Sequence, residues 1–418
     1  MRWIIVLLSM LVMASCKRGS EGDKQSVLQS KNAGSITLPT YWKDPKVFEF
    51  HREASRTDFY PFENTSLADA GMMQNSDRYE SLNGFWKHKY FSGPEEVPAG
   101  VESQAFASLA WSETPVPSCM ELKGFGVPLF RYHRLPDGFH FPYPPEKDNG
   151  VQVFKRTFKV KDTWKDMDVF VNFEGVSSGF FVYVNGLLAG YSEDSRAGSE
   201  FHITPYLKPD QNEITVVAFR YCDGNYFESH AQWFLSGIFR KSFLVARPKT
   251  RIKDFYAKTG LKDAYKTGTL DLDVLVHNNL AESRKMSIQV SLVDESKSEV
   301  FKTIKAIEVP KEAEQSYNFK TDIRSVKAWS DEMPGLYNLQ ISLMESDKIV
   351  EVLQYPIGFR QYEVKNGVFL ANGKPVKLHG VWKNEHHAAS AYTLQPADIE
   401  NEADLMKLNN INAAMPAQ

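Results

Sequence analysis

The chain has 418 residues, a formal net charge of −3 and 13% aromatic residues, with 28 Phe, 18 Tyr and 8 Trp. That length allows two or three domains with cores of their own. The near-neutral charge excludes the basic footprint of a nucleic-acid-binding or anionic-membrane-binding surface, so no nucleic-acid partner is expected. The aromatic content suits β-sandwich cores and also the ring faces on which pyranoses lie, with the core as the default place for most of them.

The first element in chain order is a targeting segment. Arg2 precedes an apolar run from Trp3 to Met13 that is too short to span a bilayer. Met13-Ala14-Ser15-Cys16 follows. Small residues directly before a cysteine resemble the lipobox of bacterial lipoproteins, which implies cleavage before Cys16 and a diacylglycerol on its thiol. The alternative is an ordinary cleaved signal with an incidental Cys16. Residues 1–15 are thus expected to be a signal peptide and residues 16–40 a lipidated tether, polar and rich in Ser, Lys and Gly. The expected location is the bacterial cell envelope, lipid-anchored in the periplasm or on the outer membrane, with the membrane as a partner through the anchor.

From about Tyr41 to Arg247 the sequence reads as strand and turn. Val169, Val171 and Phe173 alternate, Phe180 to Val184 is a continuous apolar run closed by the hairpin signal Asn185-Gly186, and Ile214 to Phe219 is a second buried run. This predicts a jelly-roll sandwich over residues 41–247. Pro248 to Thr250 marks a boundary. Beyond it, Leu270–Val276, Met286–Val293, Glu299–Val309 and Tyr337–Leu343 predict a smaller immunoglobulin-like sandwich over residues 248–361, without the Cys…Trp…Cys pattern of antibody domains. Besides Cys16, the cysteines are Cys119 and Cys222. Two buried free thiols are the default, and a disulfide in an oxidising periplasm is the alternative.

The last elements are of another kind. Val376, Leu378 and Val381 predict a short buried strand after the turn Asn372-Gly373-Lys374-Pro375. Pro396 opens a helix with an acidic first part and apolar Ile399, Ala403, Leu405, Met406 and Leu408; Asn409-Asn410 ends it, and Ile411 to Met415 begins another strand. A strand–helix–strand unit implies parallel pairing with a right-handed crossover. A barrel of eight such units needs about 250 residues. Residues 362–418 are therefore expected to be a truncated N-terminal stub of a (β/α)8 barrel. The whole chain is mostly β: jelly-roll sugar-binding domain, immunoglobulin-like β-sandwich, then the start of a barrel.

That order points to a family, and several motifs agree with it. Asp223-Gly224-Asn225-Tyr226-Phe227-Glu228, then Trp233 and Ser236-Gly237-Ile238-Phe239-Arg240, resemble the first domain of the large bacterial β-galactosidases of glycoside hydrolase family two. In the same order come Leu82-Asn83-Gly84-Phe85-Trp86, Val116-Pro117-Ser118, and Gly190-Tyr191-Ser192-Glu193-Asp194-Ser195-Arg196. Trp329-Ser330 with Pro334, Leu336 and Tyr337 resembles the end of the second domain. Gly358-Phe359-Arg360 and Gly380-Val381 with Glu385-His386-His387 resemble the start of the barrel. The resemblance spans Asp44 to about Ala413.

The resemblance implies retaining hydrolysis of terminal β-D-galactosides, a reaction that needs two carboxyl groups about 5–5.5 Å apart. In the family both are glutamates beyond the middle of the barrel, so no catalytic residue is assigned within this chain, and it is expected to be inactive by itself. Sodium and magnesium are implied for the intact enzyme. Asp223 matches an aspartate that binds sodium and a galactose hydroxyl, chemistry that a carboxylate can supply; the other reading is a plain Asp-Gly turn. His386 is placed as a sugar-hydroxyl contact, against a solvated loop histidine. Tyr132 aligns with a galactose-contacting Asn, and Phe130-Arg131-Tyr132-His133 departs from the family there. Trp382-Lys383-Asn384 replaces the family's Asn-Arg-His, and Ala414 to Gln418 do not continue its pattern, as after a frameshift or early stop. Trp233 and Tyr226 are a sugar platform or loop anchors. Arg240 is expected to pair with an acidic group between domains, and Asp194 with Arg196 to fix a loop. The expected partner is a β-galactoside-containing glycan, with a homo-oligomer as a further option. A non-catalytic carbohydrate-binding lipoprotein, or a β-glucuronidase or β-mannosidase of the same family, are the other readings.

Overall fold

The computed structural model describes residues 38–416 apart from 104–105, 107–109, 132–137 and 229–231. The signal segment, Cys16 and Tyr132 lie outside the described residues.

A seven-stranded antiparallel sheet faces a four-stranded one in the first domain. The larger sheet runs in the order Glu49–Phe50, Leu187–Ser192, Phe180–Val184, Gln211–Phe219, Val151–Lys159, Gly84–Phe91, Ser112–Val116. The smaller runs Ser199–His202, Asp168–Phe173, Ser242–Arg247, Tyr79–Ser81. Phe180–Val184 is buried at every position because both of its faces are covered. Phe180, Val182 and Val184 pack between the sheets with Trp86, Phe154, Phe173 and Phe201. Phe181 and Tyr183 pack on the opposite side with Trp42, Phe91, Tyr191 and Phe219. A strand buried on two faces loses its polar alternation, which is why this one reads as an unbroken apolar run. The second cover is the segment from Leu38 to Phe50, whose Trp42 stacks on Phe219 at 4.9 Å. Asn185 and Gly186 both take positive φ, 53° and 82°, as a two-residue hairpin of this kind requires.

The second domain packs a three-stranded sheet (Thr250–Lys262, Thr267–Asn278, Ala313–Arg324) on a four-stranded one (Glu299–Val309, Arg284–Val293, Tyr337–Glu345, Lys348–Ile357). Thr267–Asn278 alternates along its whole length, with Leu270, Leu272, Val274 and Val276 inward. The junction between the two sandwiches is ionic and dry. Arg247 and Glu351 are buried and pair at 3.2 Å, and the Ile252 N–H donates to Glu351 Oε1 at 2.5 Å. Arg251 pairs with buried Asp168 at 2.7 Å, and the Asn279 amide donates to the same carboxylate at 3.2 Å. Burial raises the Asp168 pKa, but His202, 3.7 Å away, and the Arg251 guanidinium outweigh it and hold it at about 2.

The last part carries a parallel pair, Gly380–Lys383 with Ala413–Pro416, spanned by the helix Pro396–Leu408. One expectation is corrected here. Val376, Leu378 and Val381 do not form one buried strand: the strand begins at Gly380, and Leu378 is 61% exposed. No second layer covers this unit among the described residues, and the helix likewise buries none of its residues. What holds the segment to the first sandwich is the loop after Lys383. Its Tyr392 is buried with Cys119, Leu235 and Phe239.

Candidate functional site

Gln211–Phe219 is the central strand of the large sheet, and beyond its end the chain turns sharply through Arg220–Gly224 into the one-turn helix Asn225–Glu228. Buried amides shape that turn. Asn149 both donates to the Tyr221 carbonyl and accepts from its N–H, at 2.9 Å each, and Asn225 Oδ1 accepts from the Cys222 N–H at 2.8 Å. Asp223 therefore sits on a fixed backbone. Its Oδ1 is buried and has no hydrogen-bond partner.

Beside it lies Glu193, a buried carboxyl that the sequence reading passed over within its own motif. Glu193 accepts from Tyr191 Oη at 2.5 Å and from the Gly224 N–H at 3.1 Å, and the neighbouring Asp223 carboxyl acts on it electrostatically. Burial pushes Glu193 up to about 8, and burial also raises Asp223. Burial thus favours the protonated form of Glu193 beside Asp223. Glu228 ties the neighbouring loop by accepting from the Ser195 N–H at 2.9 Å, while its Oε2 is buried without a partner. Glu121, also missed, accepts from the N–H and hydroxyl of Ser236 at 2.8 Å each and so fixes the Ser236-Gly237 turn.

The other candidate residues divide. Arg240 pairs with Glu385 at 2.6 Å and ties the first sandwich to the barrel start. Tyr392 completes that tie: its hydroxyl donates to the Trp233 carbonyl at 2.6 Å, and the Arg196 guanidinium lies 3.9 Å from its ring centre. Asp194 fixes its loop by accepting from the Arg196 and Ala197 N–H groups, and its charge pairs with Arg52 at 3.3 Å. Tyr226 is an anchor, its ring set edge-on to Phe139 and Phe141 and its hydroxyl donating to the Tyr143 carbonyl at 3.2 Å. Trp233 stays 41% exposed beside Phe130, 5.4 Å between ring centres. His386 is exposed on the loop that Glu385 pins, and no hydrogen bond or ion pair joins it to Asp223 among the described residues. Cys119 and Cys222 are buried free thiols.

Asp223 can accept a hydroxyl hydrogen bond or offer one hard oxygen to a cation. Its unpartnered oxygen fits either role. No set of three His, Cys, Asp or Glu side chains among the described residues is placed to hold a metal ion. Nor do Glu193 and Asp223 make a glycosidase pair. Glu193 is buried, with its two oxygens taken by the Tyr191 hydroxyl and the Gly224 N–H, and so is not presented across a cleft.

Comparison with known proteins places this geometry. The family model "Glycosyl hydrolases family 2, sugar binding domain" matches residues 79–248, "Glycosyl hydrolases family 2" matches 250–360, and "Glycosyl hydrolases family 2, TIM barrel domain" matches 362–417. A beta-galactosidase of Priestia megaterium is 32% identical over 385 residues, which is 90% of this chain and 37% of that protein. One of Vibrio cholerae is 31% identical over 397 residues, 93% of this chain and 38% of that protein. The chain thus spans less than two fifths of the length of these relatives. Among solved structures, a beta-glucuronidase of Bacteroides uniformis superposes with a TM-score of 0.67 at 18% identity over 80% of this chain and 39% of its own. A putative beta-galactosidase from Bacteroides fragilis gives 0.67 at 18% identity over 81% and 50%. These two likenesses concern the fold.

Proposed function

The chain belongs to the glycosyl hydrolases of family 2, and we propose that it is the N-terminal, sugar-binding part of a β-galactosidase-type enzyme acting in carbohydrate breakdown. The observation that carries the reading is the Asp223 carboxylate: buried, held on a rigid turn, and left with an unpartnered oxygen in the motif that resembles the β-galactosidases. In this reading Asp223 accepts a hydrogen bond from a galactose hydroxyl and is one of several ligands of a sodium ion. Magnesium belongs to the intact enzyme. His386 and Tyr132 are proposed as further sugar contacts, and a β-galactoside-containing glycan as the substrate. The test is a galactose titration followed by NMR at the amides of 223–228. Saturable shifts are expected in the wild type and none in Asp223→Ala. Equal response in both would sink the assignment.

We also propose that residues 1–418 hydrolyse no galactoside by themselves. Support comes from Glu193, the carboxyl beside Asp223, which is buried with both oxygens held by Tyr191 and the Gly224 N–H and so does not flank a cleft with it.

The proposed location is the bacterial cell envelope, through a lipid on Cys16. Expressed in a bacterium with lipoprotein processing, the wild type should partition into detergent and Cys16→Ser should not. Equal solubility of the two would mean that Cys16 belongs to an ordinary signal.

A further inference from the structure

The segment 53–61 crosses the outer face of the four-stranded sheet and leaves a cavity of about 530 Å³ beneath it. That volume lies in the range of roughly 300–1,000 Å³ typical of small-molecule sites. Asn172 faces this cavity from the strand Asp168–Phe173, Glu174 follows just after that strand's end, and Phe243 and Val245 alternate onto the same face from Ser242–Arg247. Asn172 lies directly opposite Phe243 on one side and Glu200 on the other. The result is an amide flanked by an aromatic ring and a carboxylate on a rigid sheet.

The overlying segment is stitched to both sandwiches. The Thr57 N–H donates to Asp254 Oδ1 at 2.9 Å and its hydroxyl to the Phe255 carbonyl at 2.8 Å. Two of the cations on the lining are already engaged. Arg56 pairs with Glu200 at 3.0 Å, and Arg240 with Glu385. The Asn172 amide nitrogen is buried without a hydrogen-bond partner, a state that a ligand acceptor would relieve. Glu174 and exposed Asp58 add carboxylate acceptors to the same lining. Engaged arginines disfavour an anionic ligand. Acceptors for hydroxyls, an amide and a half-buried aromatic ring together match a polyol with one apolar face.

We propose that this cavity binds a neutral saccharide of one or two pyranose units. Hydroxyls donate to Glu174 and Asp58, one oxygen accepts from Asn172, and the apolar sugar face lies on Phe243. Asp223 does not line the cavity, so this site and the one around Asp223 stand or fall separately.

Lactose is the probe, followed by saturation-transfer NMR on the purified chain, with glucuronate and galactosamine as anionic and cationic controls. Lactose should bind saturably and more tightly than either control. Asn172→Leu and the isosteric Glu174→Gln should each weaken it at least tenfold while keeping the wild-type melting temperature within a few degrees, and Asp223→Ala should leave cavity binding in place. If Asn172→Leu does not fold, Glu174→Gln carries the test alone. The absence of saturable binding, a preference for a charged control, or binding that Asp223→Ala removes and the cavity variants leave intact would each overturn the proposal.

Discussion

Glu351→Ala is expected to destabilise the protein by about 3–5 kcal/mol, the cost of stranding one member of a buried ion pair. Glu351 is fully buried, and its carboxylate receives both the Arg247 guanidinium and the Ile252 N–H. Removing it leaves the Arg247 charge with only the Ile252 carbonyl and no counter-ion, and the Ile252 N–H without its acceptor, at the seam between the sandwiches. The double variant Arg247→Met with Glu351→Leu removes both charges and should recover most of the loss, because the desolvation penalty disappears with the pair. Urea unfolding of the wild type and the two variants decides the matter. A single substitution costing under about 1 kcal/mol would show that the seam is solvated and that the sandwiches are held by something else.

Glu193 gives the second large effect, and its sign is opposite to that of most carboxylates. Its folded pKa of about 8 lies above the usual carboxyl value of 4.5, chiefly through burial. Its contribution to stability is therefore fully present below pH 4.5 and is lost as pH rises through 8, a decline of the order of a few kcal/mol. Glu193→Gln keeps the size, one of the two acceptor oxygens and a donor, but cannot titrate. Its stability should stay flat across that window where the wild type falls, whereas Glu193→Ala should be destabilised throughout. Parallel pH profiles for wild type and Glu193→Gln would show that the proton is not held there.

Much of the architecture is legible in the sequence because its signals are local. The hairpin at Asn185-Gly186, the Thr267–Asn278 alternation and the helix from Pro396 each follow from turn chemistry or period. The strands Thr250–Lys262, Ala313–Arg324 and Lys348–Ile357 are not legible in that way. Ala313–Arg324 buries only Phe319 and Ile323 and otherwise presents polar side chains to solvent, so it offers almost no apolar pattern. The buried strand expected from Val376, Leu378 and Val381 fails for the converse reason. Apolar residues form a buried strand only where a second layer exists to cover them.

The site follows the same division. Asp223 and Arg240 are found by motif. Glu193 sits in a quoted motif too, but its role depends on a contact between loops some thirty residues apart in sequence, which no local pattern encodes. Tyr392 is similar, since its pocket is assembled from Cys119, Leu235 and Phe239. A signal was present in each case, a glutamate inside a loop otherwise fixed by Asp194 and a lone tyrosine in a small-residue stretch, but neither names its partner.

We propose above all that residues 1–418 are the sugar-binding part of a β-galactosidase-type enzyme and hydrolyse no galactoside by themselves. The most direct measurement is release of nitrophenol from nitrophenyl β-galactoside by the purified chain. The account predicts a rate indistinguishable from buffer. Turnover that persists through successive purification steps and falls on substitution of a carboxylate within the chain would contradict it, because that carboxylate would then be doing the chemistry.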